Sequence, residues 1–151
     1  MDVKNKRVIV TGAASGIGKA LCEAFHQAEA KSVIAVDINL DGAQETADSV
    51  DGIAVKANVG NEKDIINLIE KADEHVGGID IFCSNAGIGG VPGFFEVEAS
   101  DWQNIWDVNV QSHIFAAKHV LPQMIERGEG YLVNTSSCLL YTSPSPRDLR
   151  E

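Results

Sequence analysis

RVIVTGAASGIG, residues 7–18, is the stretch of sequence that decides the fold. Its first five residues form a short apolar run that ends at a glycine, and such a run predicts a buried β-strand. Beyond the glycines, apolar residues recur at helical spacing, so a tight loop joins strand and helix. Glycines there let the backbone approach an anion, and the helix start offers free N–H groups and a positive dipole end. A glycine-rich turn that binds nothing is the alternative, and the loop alone does not exclude it.

The rest of the chain continues the alternation of strand and helix. Strands are predicted over residues 32–37, 53–57, 79–83 and 131–135, and helices over 41–49, 61–76 and about 99–127. Asn61 is expected to cap the second of these helices, and Gly77 to end it. The last helix is predicted to break near Asp107 and to bury one apolar stripe, Val110, Ile114, Ala117, Leu121 and Met124. Five strands alternating with helices predict the α/β class: a Rossmann-like, doubly wound parallel sheet that stops after the fifth strand.

Composition and charge narrow the function classes. The 151 residues are 44% hydrophobic and 23% charged, which is typical of one globular domain. The formal net charge of −10 opposes binding to nucleic acid or to anionic membranes. Neither a signal segment nor a membrane-spanning run is predicted, so we expect a cytoplasmic protein without a membrane partner.

The cysteines and histidines lack the spacing of metal ligands. Cys22, Cys83 and Cys138 are scattered and odd in number, which predicts free, buried thiols in a reducing compartment. The histidines pair with neither cysteine nor carboxylate at ligand spacing: His26, His75, His113 and His119. We therefore expect no metal site.

An acidic residue completes the pattern begun by the glycine loop. Asp37 closes the second predicted strand, 19 residues after Gly18. A dinucleotide-binding unit places an acid at this point to accept the ribose hydroxyls. The order of strand, loop, helix, strand and acid favours a dinucleotide site over a turn that binds nothing. Because Asp37 would repel a 2′-phosphate and Ile38 supplies no cation, we predict NAD in preference to NADP.

Several motifs together resemble the short-chain dehydrogenase/reductase family. The glycine spacing Gly-x-x-x-Gly-x-Gly after Thr11 is the first of them, and the resemblance extends from about residue 5 to Ser137. Residues 84–87, SNAG, resemble the family's Asn-Asn-Ala-Gly motif with Ser in the first place. Asn58-Val59 stands where the family usually has Asp-Val beside the adenine. Residues 106–110, WDVNV, and 134–137, NTSS, resemble the segments that carry the family's tetrad Asn and its catalytic Ser.

The resemblance implies a set of functional residues. Asn109 is implied as the tetrad Asn, and Ser137 rather than Ser136 as the catalytic Ser, by its place in the motif. Asn58 keeps an acceptor oxygen but loses the charge of the family's Asp. The implied cofactor-binding residues are Gly12, Ser15, Gly16, Ile17, Gly18, Asp37, Asn58, Val59, Asn85, Ala86 and Gly87. The alternative for Asn85 and Asn109 is a structural role in satisfying buried backbone groups, and for Ser137 a simple strand-end hydroxyl.

The family's chemistry is hydride transfer between a nicotinamide and the carbinol carbon of a small-molecule alcohol or carbonyl substrate. The Ser hydroxyl bonds the substrate oxygen, and a Tyr about a dozen residues later exchanges the proton. A Lys four residues after the Tyr lowers the pKa of that Tyr. Tyr141 follows Ser137 by only four residues, and Ser145 stands where the Lys would be, so Tyr141 is not expected to be catalytic. The resemblance also implies a homodimer or homotetramer.

The last residues resemble something other than natural protein. Cys138 to Asp148 resembles a translated sequencing adapter of the transposon type, and all eleven residues match it in one reading frame. We therefore expect residues 1–137 to be an incomplete NAD(P)-binding domain, and 138–151 to be a non-native tail. The chain by itself is expected to be inactive. Three possibilities remain open: a parent oxidoreductase, a non-catalytic dinucleotide-binding module that ends here, and a structural fragment that binds nothing.

Overall fold

A computed structural model of the protein describes residues 2–89 and 95–137. The predicted tail, residues 138–151, lies outside the described residues, together with Cys138 and Tyr141. The first elements are β1 (Arg7–Thr11), α1 (Gly16–Gln27), β2 (Ser32–Asp37), α2 (Leu40–Ser49), β3 (Ile53–Lys56) and α3 (Glu62–Val76). They are followed by β4 (Ile81–Ser84), α4 (Ala99–Trp106), a π-helical segment (Asp107–Gln111), α5 (Ser112–Arg127) and β5 (Tyr131–Asn134).

The strands form one parallel sheet in the order β3-β2-β1-β4-β5. Helices α1 and α2 share one core layer with the sheet, and α3 and α5 share the layer on the other face. The predicted α/β class with helices on both faces is therefore confirmed. No helix in the described part of the chain has the length and apolar character needed to cross a bilayer.

The central strand β1 is buried along nearly all its length because the sheet is covered on both faces. Val8, Ile9 and Val10 are all 0% exposed. Continuous apolar runs of this kind are typical of parallel strands that lie between two helical layers. The chain order reverses at β1, since β2 lies on one side of it and β4 on the other. Such a switch point opens a crevice at the carboxyl ends of the two strands.

Helix α3 begins and ends where its residues predict. The Asn61 side chain accepts a hydrogen bond from the Lys63 N–H at 2.9 Å, and Gly77 closes the helix with a left-handed φ of 77°. Strand β4 begins at Ile81, two residues later than predicted. The reason is that the N–H of Ile79 donates to the Gln123 side chain at 3.1 Å rather than to a neighbouring strand.

The predicted break near Asp107 is confirmed, but the predicted apolar stripe of the last helix is wrong in part. The break is the π-helical segment, and the buried residues on α5 are Ser112, Ala116, Val120 and Met124. Of the predicted stripe only Met124 is buried, whereas Ile114 and Leu121 are exposed and Val110 and Ala117 are half-buried. A π turn holds one residue more than an α turn, so it rotates the residues beyond it to a different side.

An ion pair lies at the amino-terminal ends of β1 and β4. Arg7 donates from Nε and Nη2 to the two carboxylate oxygens of Asp80, at 2.8 and 2.6 Å, and its backbone N–H also donates to that carboxylate. Both side chains are largely buried, and Arg127 lies 3.8 Å from the same carboxylate. The hydrogen bonds from Arg7 hold the pKa of Asp80 below its usual value. This pair joins β1 to the start of β4.

The two described cysteines are free and buried, as predicted. Cys22 of α1 and Cys83 of β4 belong to the same core layer. Burial raises the pKa of each thiol to about 12, so both stay protonated at neutral pH. Among residues 2–89 and 95–137 there is no group of three potential metal ligands.

Candidate functional site

Two adjoining grooves run across the carboxyl ends of the strands. The first, called the Asp37 groove, has a volume of about 230 Å³ and lies beside β2 and β3. The second, called the Ser137 groove, has a volume of about 740 Å³ and lies beside β4, β5 and the π-helical segment. Ala86, Gly87 and Ile88 line both grooves and so form the boundary between them. The site is therefore continuous from the glycine loop to Ser137.

The glycine loop can pack against its neighbours only because Gly12 and Gly18 lack a side chain. Gly12 has φ 70°, and a Cβ added to it would lie 2.9 Å from the Cα of Ala86. A Cβ on Gly18 would lie 2.0 Å from the carbonyl oxygen of Gly12. No side chain fits at either distance, so the start of α1 packs directly on the loop. This close packing brings the helix start to the end of β1.

No side chain caps the amino terminus of α1. Ser15 is the cap residue, but its side chain makes no capping hydrogen bond, and no acidic residue lies in the first turn. Helices α2 and α3, in contrast, are capped by Asn39 and Asn61. Gly16 has φ 54° and leads into Ile17, which is 65% exposed. The first N–H groups of α1 are thus available to an anion.

Asp37 lies at the end of β2, where it meets the glycine loop. Its two carboxylate oxygens accept backbone hydrogen bonds, one from Ala14 at 3.0 Å and one from Asn39 at 2.9 Å. Each carboxylate oxygen has a second lone pair, so the group can still accept hydrogen bonds from the groove. Asp37 is the only charged side chain among the described residues that line the Asp37 groove. The first groove therefore carries a local negative charge.

Asn58 and Val59 form the floor of the Asp37 groove at the end of β3. The Asn58 side-chain oxygen accepts from the Gly60 N–H at 3.0 Å, and the backbone N–H of Asn58 donates to the Asp64 carboxylate at 2.9 Å. Val59 is 6% exposed and contributes apolar surface. The side-chain oxygen of Asn58, which was expected to contact the adenine, therefore already accepts a hydrogen bond from the local turn. Its contact with a ligand stays a prediction.

Asn85 ties three strands together through Thr11. The Thr11 hydroxyl donates to the Cys83 carbonyl at 3.1 Å and accepts from the N–H groups of Asn85 and Ala86. The Asn85 amide donates to the Thr11 carbonyl at 3.0 Å and accepts from the Thr135 hydroxyl at 3.1 Å. These bonds connect β1, β4 and the end of β5. The structural role that stands as the alternative for Asn85, satisfying buried backbone groups, is thus present in the structure.

Asn109 lies in the middle of the π-helical segment and faces the loop after β4. Its amide oxygen accepts from the Ile88 N–H at 2.8 Å, and its amide nitrogen donates to the Ile88 carbonyl at 2.9 Å. The side chain therefore holds the loop that separates the two grooves. π turns of this kind occur frequently at functional sites.

Ser137 lines the Ser137 groove together with Asn134, Thr135 and Ser136. These residues lie at and just beyond the carboxyl end of β5, next to β4, which leads into Asn85. One further side chain joins them, because His113 Nδ1 of α5 lies 3.0 Å from the Asn134 side-chain oxygen. Among the described lining residues of this groove, His113 is the only acid or base.

The structure brings most of the predicted site residues into the two grooves. The exceptions are Ser15, Gly16 and Gly18, which form the start of α1 rather than a groove wall. Sequence reasoning missed several lining residues: Ile38, Ala57, Ile88, Asn104, Val108, Val110, His113, Ile114 and Asn134. His113 had a signal, since it follows Asn109 by one helical turn. Ile88 directly follows the SNAG motif, whereas nothing local marks Asn104.

Comparison with known proteins agrees with this geometry. The family described as short chain dehydrogenase matches residues 6–143. Glucose 1-dehydrogenase 2 of Bacillus subtilis (strain 168) is 34% identical over 143 residues, which cover 90% of this chain and 55% of that protein. An uncharacterized oxidoreductase of Staphylococcus aureus (strain MRSA252) is 33% identical over 136 residues, covering 88% of this chain and 58% of that protein. The chain thus spans little more than half the length of these relatives. It belongs to the short-chain dehydrogenase family.

Proposed function

We propose that the chain is part of an NAD-dependent oxidoreductase that moves a hydride between a nicotinamide and the carbinol or carbonyl carbon of a small-molecule substrate. The observation that carries this proposal is the continuity of the two grooves. The glycine loop and Asp37 lie at one end, and Asn109 and Ser137 lie at the other. Bound NAD supplies the hydride acceptor, and the protein residues supply binding and orientation.

The residues at the start of α1 fit a dinucleotide. The close approach of Gly18 to Gly12 leaves the backbone bare, and a Cβ at either position would fill the space. The uncapped start of α1 supplies N–H groups and a positive dipole end for a pyrophosphate. Gly16 and Ile17 would lie beside it, and Ala86 and Gly87 would line the path toward the nicotinamide.

Asp37 supports NAD as the preferred cofactor. Its carboxylate can accept the two ribose hydroxyls, whereas a 2′-phosphate would be brought against a negative charge. None of the described residues that line the Asp37 groove is a lysine or arginine. Lys19 of α1 does not line either groove. The preference for NAD over NADP rests on this absence of a compensating cation.

In the Ser137 groove we assign two roles. Ser137 bonds the substrate oxygen, and Asn109 positions the loop that shapes the groove. The Ser137 hydroxyl would donate to the oxygen on which charge develops during hydride transfer. Asn109 acts through the loop, since both atoms of its amide group are bonded to Ile88. We assign no residue to the roles of the family's Tyr and Lys. We further propose that residues 138–151 are a non-native tail.

The partner proposed for the protein is a second copy of itself. Ile114, Leu121 and Ile125 of α5 are 56%, 39% and 72% exposed and form an apolar surface on one helix. Burying the exposed part of such side chains stabilises an interface by roughly 1–2 kcal/mol each, a fraction of the value for a fully exposed side chain. Sedimentation of the protein with Ile125→Asp, against the matched surface change Glu126→Asp, tests this assembly. Dissociation by the first change alone supports it.

The proposed function is tested on the complete reading frame recovered from the source DNA. We expect oxidation of alcohols with NAD, followed through the absorbance of the reduced nicotinamide, and a loss of about 10²–10³ in rate on Ser137→Ala. The matched control is Ser136→Ala, which should retain most of the rate. Cofactor binding without turnover of any alcohol or carbonyl would favour the non-catalytic binding module. Absence of cofactor binding would contradict both.

A further inference from the structure

Helix α2 packs directly against the glycine loop. Gly42 in its first turn comes so close that an added Cβ would lie 2.8 Å from the Cβ of Ala14. One turn further along the helix, Thr46 is 0% exposed, and its hydroxyl donates to the Ala13 carbonyl at 2.8 Å. Ala13 is itself 0% exposed. The one polar side chain among the buried residues of α2 is therefore bonded to the loop that we propose binds the cofactor.

The Thr46 hydroxyl has two acceptors within reach and one hydrogen to donate. Its oxygen lies 2.8 Å from the Ala13 carbonyl oxygen and 3.1 Å from that of Gly42, one turn earlier in its own helix. Threonine inside a helix often bonds the carbonyl four residues before it. Here the shorter contact is with the loop, whose buried carbonyl would cost free energy if it had no donor. The loop carbonyl is thus the principal acceptor.

The Ala13 carbonyl and the Ala14 N–H belong to one peptide group, and this peptide is bonded at both ends. Thr46 donates to its oxygen, and its N–H donates to Oδ2 of Asp37 at 3.0 Å. A chain of hydrogen bonds therefore runs from the Thr46 hydroxyl through the peptide to the Asp37 carboxylate. Each bond polarises the next, and the last one ends on a charge. If the peptide turned over, its carbonyl would face the carboxylate in place of its N–H.

The second oxygen of Asp37 is held from the same helix. Oδ1 accepts from the N–H of Asn39 at 2.9 Å, and Asn39 is the residue that caps α2. Both carboxylate oxygens are thus connected to α2, one through Asn39 and the other through Thr46. Thr46 does not line the Asp37 groove. Its effect on a ligand in that groove must therefore pass through the Ala13–Ala14 peptide.

We propose that Thr46 is a positioning residue for the adenosine ribose: through the Ala13–Ala14 peptide it fixes the Asp37 carboxylate in the orientation that accepts the 2′-hydroxyl. This inference rests on the proposed function, because it takes Asp37 as the acid that binds the ribose. Thr46→Val keeps the shape of the side chain but removes the donor. The peptide is then no longer held with its N–H toward Asp37, so the bond between carboxylate and ribose weakens.

Calorimetric titration of the 151-residue chain with ADP and with 2′-deoxy-ADP measures that one bond, because the two ligands differ only in the 2′-hydroxyl. The unaltered chain should bind ADP about tenfold more tightly than the deoxy ligand, as a hydrogen bond to a charged group provides. Thr46→Val should reduce this ratio to about threefold or less. Thr46→Ser, which retains a hydroxyl, should keep the ratio of the unaltered chain. If Thr46→Val does not fold, Thr46→Cys, whose thiol is a weak donor, should lower the ratio in its place.

Two controls separate positioning from a purely structural role. Ser49→Ala removes another hydroxyl of α2, one that donates to the Thr46 carbonyl at 2.7 Å and not to the loop, and should leave the ratio unchanged. In an Asp37→Ala background, Thr46→Val should lower ADP affinity by no more than about twofold, since the acid that Thr46 positions is gone. An undiminished ratio in folded Thr46→Val, even with a loss of stability, would overturn the inference and leave the proposed function intact. Failure of the unaltered chain to bind ADP would overturn the proposed function, and this inference with it.

Discussion

The Asp37 groove and the Ser137 groove adjoin each other, but different kinds of contact give each groove its shape. The first is shaped by backbone: Gly12 and Gly18 approach within contact distances that no side chain tolerates, and Asp37 is fixed by two backbone N–H groups. The second is shaped by side chains from distant parts of the chain, such as Asn109 on the Ile88 loop and His113 on Asn134. A site built from backbone fails abruptly when a side chain is added. A site built from side-chain pairs should lose function gradually.

The largest expected effect is at the glycine loop. Gly18→Ala places a Cβ 2.0 Å from the Gly12 carbonyl oxygen, so the start of α1 must move away from the loop. We expect NADH affinity to fall by more than about 100-fold, because the pyrophosphate loses its N–H donors. The matched control is Gly89→Ala, since nothing lies within 4 Å of the added Cβ there. Fluorescence titration with NADH measures both, and equal affinities would refute the backbone account.

The ion pair of Arg7 and Asp80, at the opposite ends of the strands from the grooves, provides the second test. Asp80→Asn leaves Arg7 largely buried without its counter-ion, and we expect the free energy of unfolding to fall by about 3 kcal/mol. The pKa of Asp80 is lowered, first by the hydrogen bond from Arg7, so its stabilisation is complete at neutral pH. That stabilisation is lost as the pH falls through the lowered pKa.

Urea unfolding at several pH values measures how the free energy of unfolding of the protein and of Asp80→Asn depends on pH. The unaltered protein should lose stability toward acid more steeply than Asp80→Asn, since the variant has no carboxylate to protonate there. Glu74→Gln, an exposed change on α3, is the matched control. Parallel acid profiles for the protein and Asp80→Asn would show that the pair contributes little. NADH affinity should stay unchanged in the folded Asp80→Asn protein, because the pair is remote from both grooves.

A smaller effect is expected at Asp37. Asp37→Asn removes the charge but keeps an oxygen acceptor, so NADH affinity should fall by about tenfold. NADPH affinity should rise, because the 2′-phosphate no longer meets a carboxylate. Asp41→Asn, an exposed change in the first turn of α2, is the matched control. If the ratio of the two affinities does not move, Asp37 is not the residue that selects the cofactor.

The smallest effect on cofactor affinity is expected at Ser137. Ser137→Ala removes a hydroxyl that we assign to the substrate and not to the dinucleotide. NADH affinity should therefore remain within about twofold, which is less than one neutral hydrogen bond. Calorimetric titration of the protein and the variant measures this. A loss of tenfold or more would mean that the Ser137 groove binds the dinucleotide through this hydroxyl.

The difference between the grooves also explains how far the sequence predicts the molecule. Gly12, Gly18 and Asp37 lie within one strand–loop–helix–strand unit, so local spacing suffices to predict their juxtaposition. The caps of α3 are equally local. The break near Asp107 is also predicted, but not that it is a π turn, in which Asn109 is bonded to Ile88, 21 residues earlier. The shifted apolar face of α5 and the contact of His113 with Asn134 follow from that turn, and no local pattern predicts them.

The most direct test of the central claim is a parallel titration of the chain with NADH and with NADPH. We expect saturable binding of NADH, and binding of NADPH that is weaker by about tenfold or more, since Asp37 is the only charged side chain among the described lining residues of its groove. Binding of neither dinucleotide, or binding of NADPH as tight as that of NADH, would contradict it.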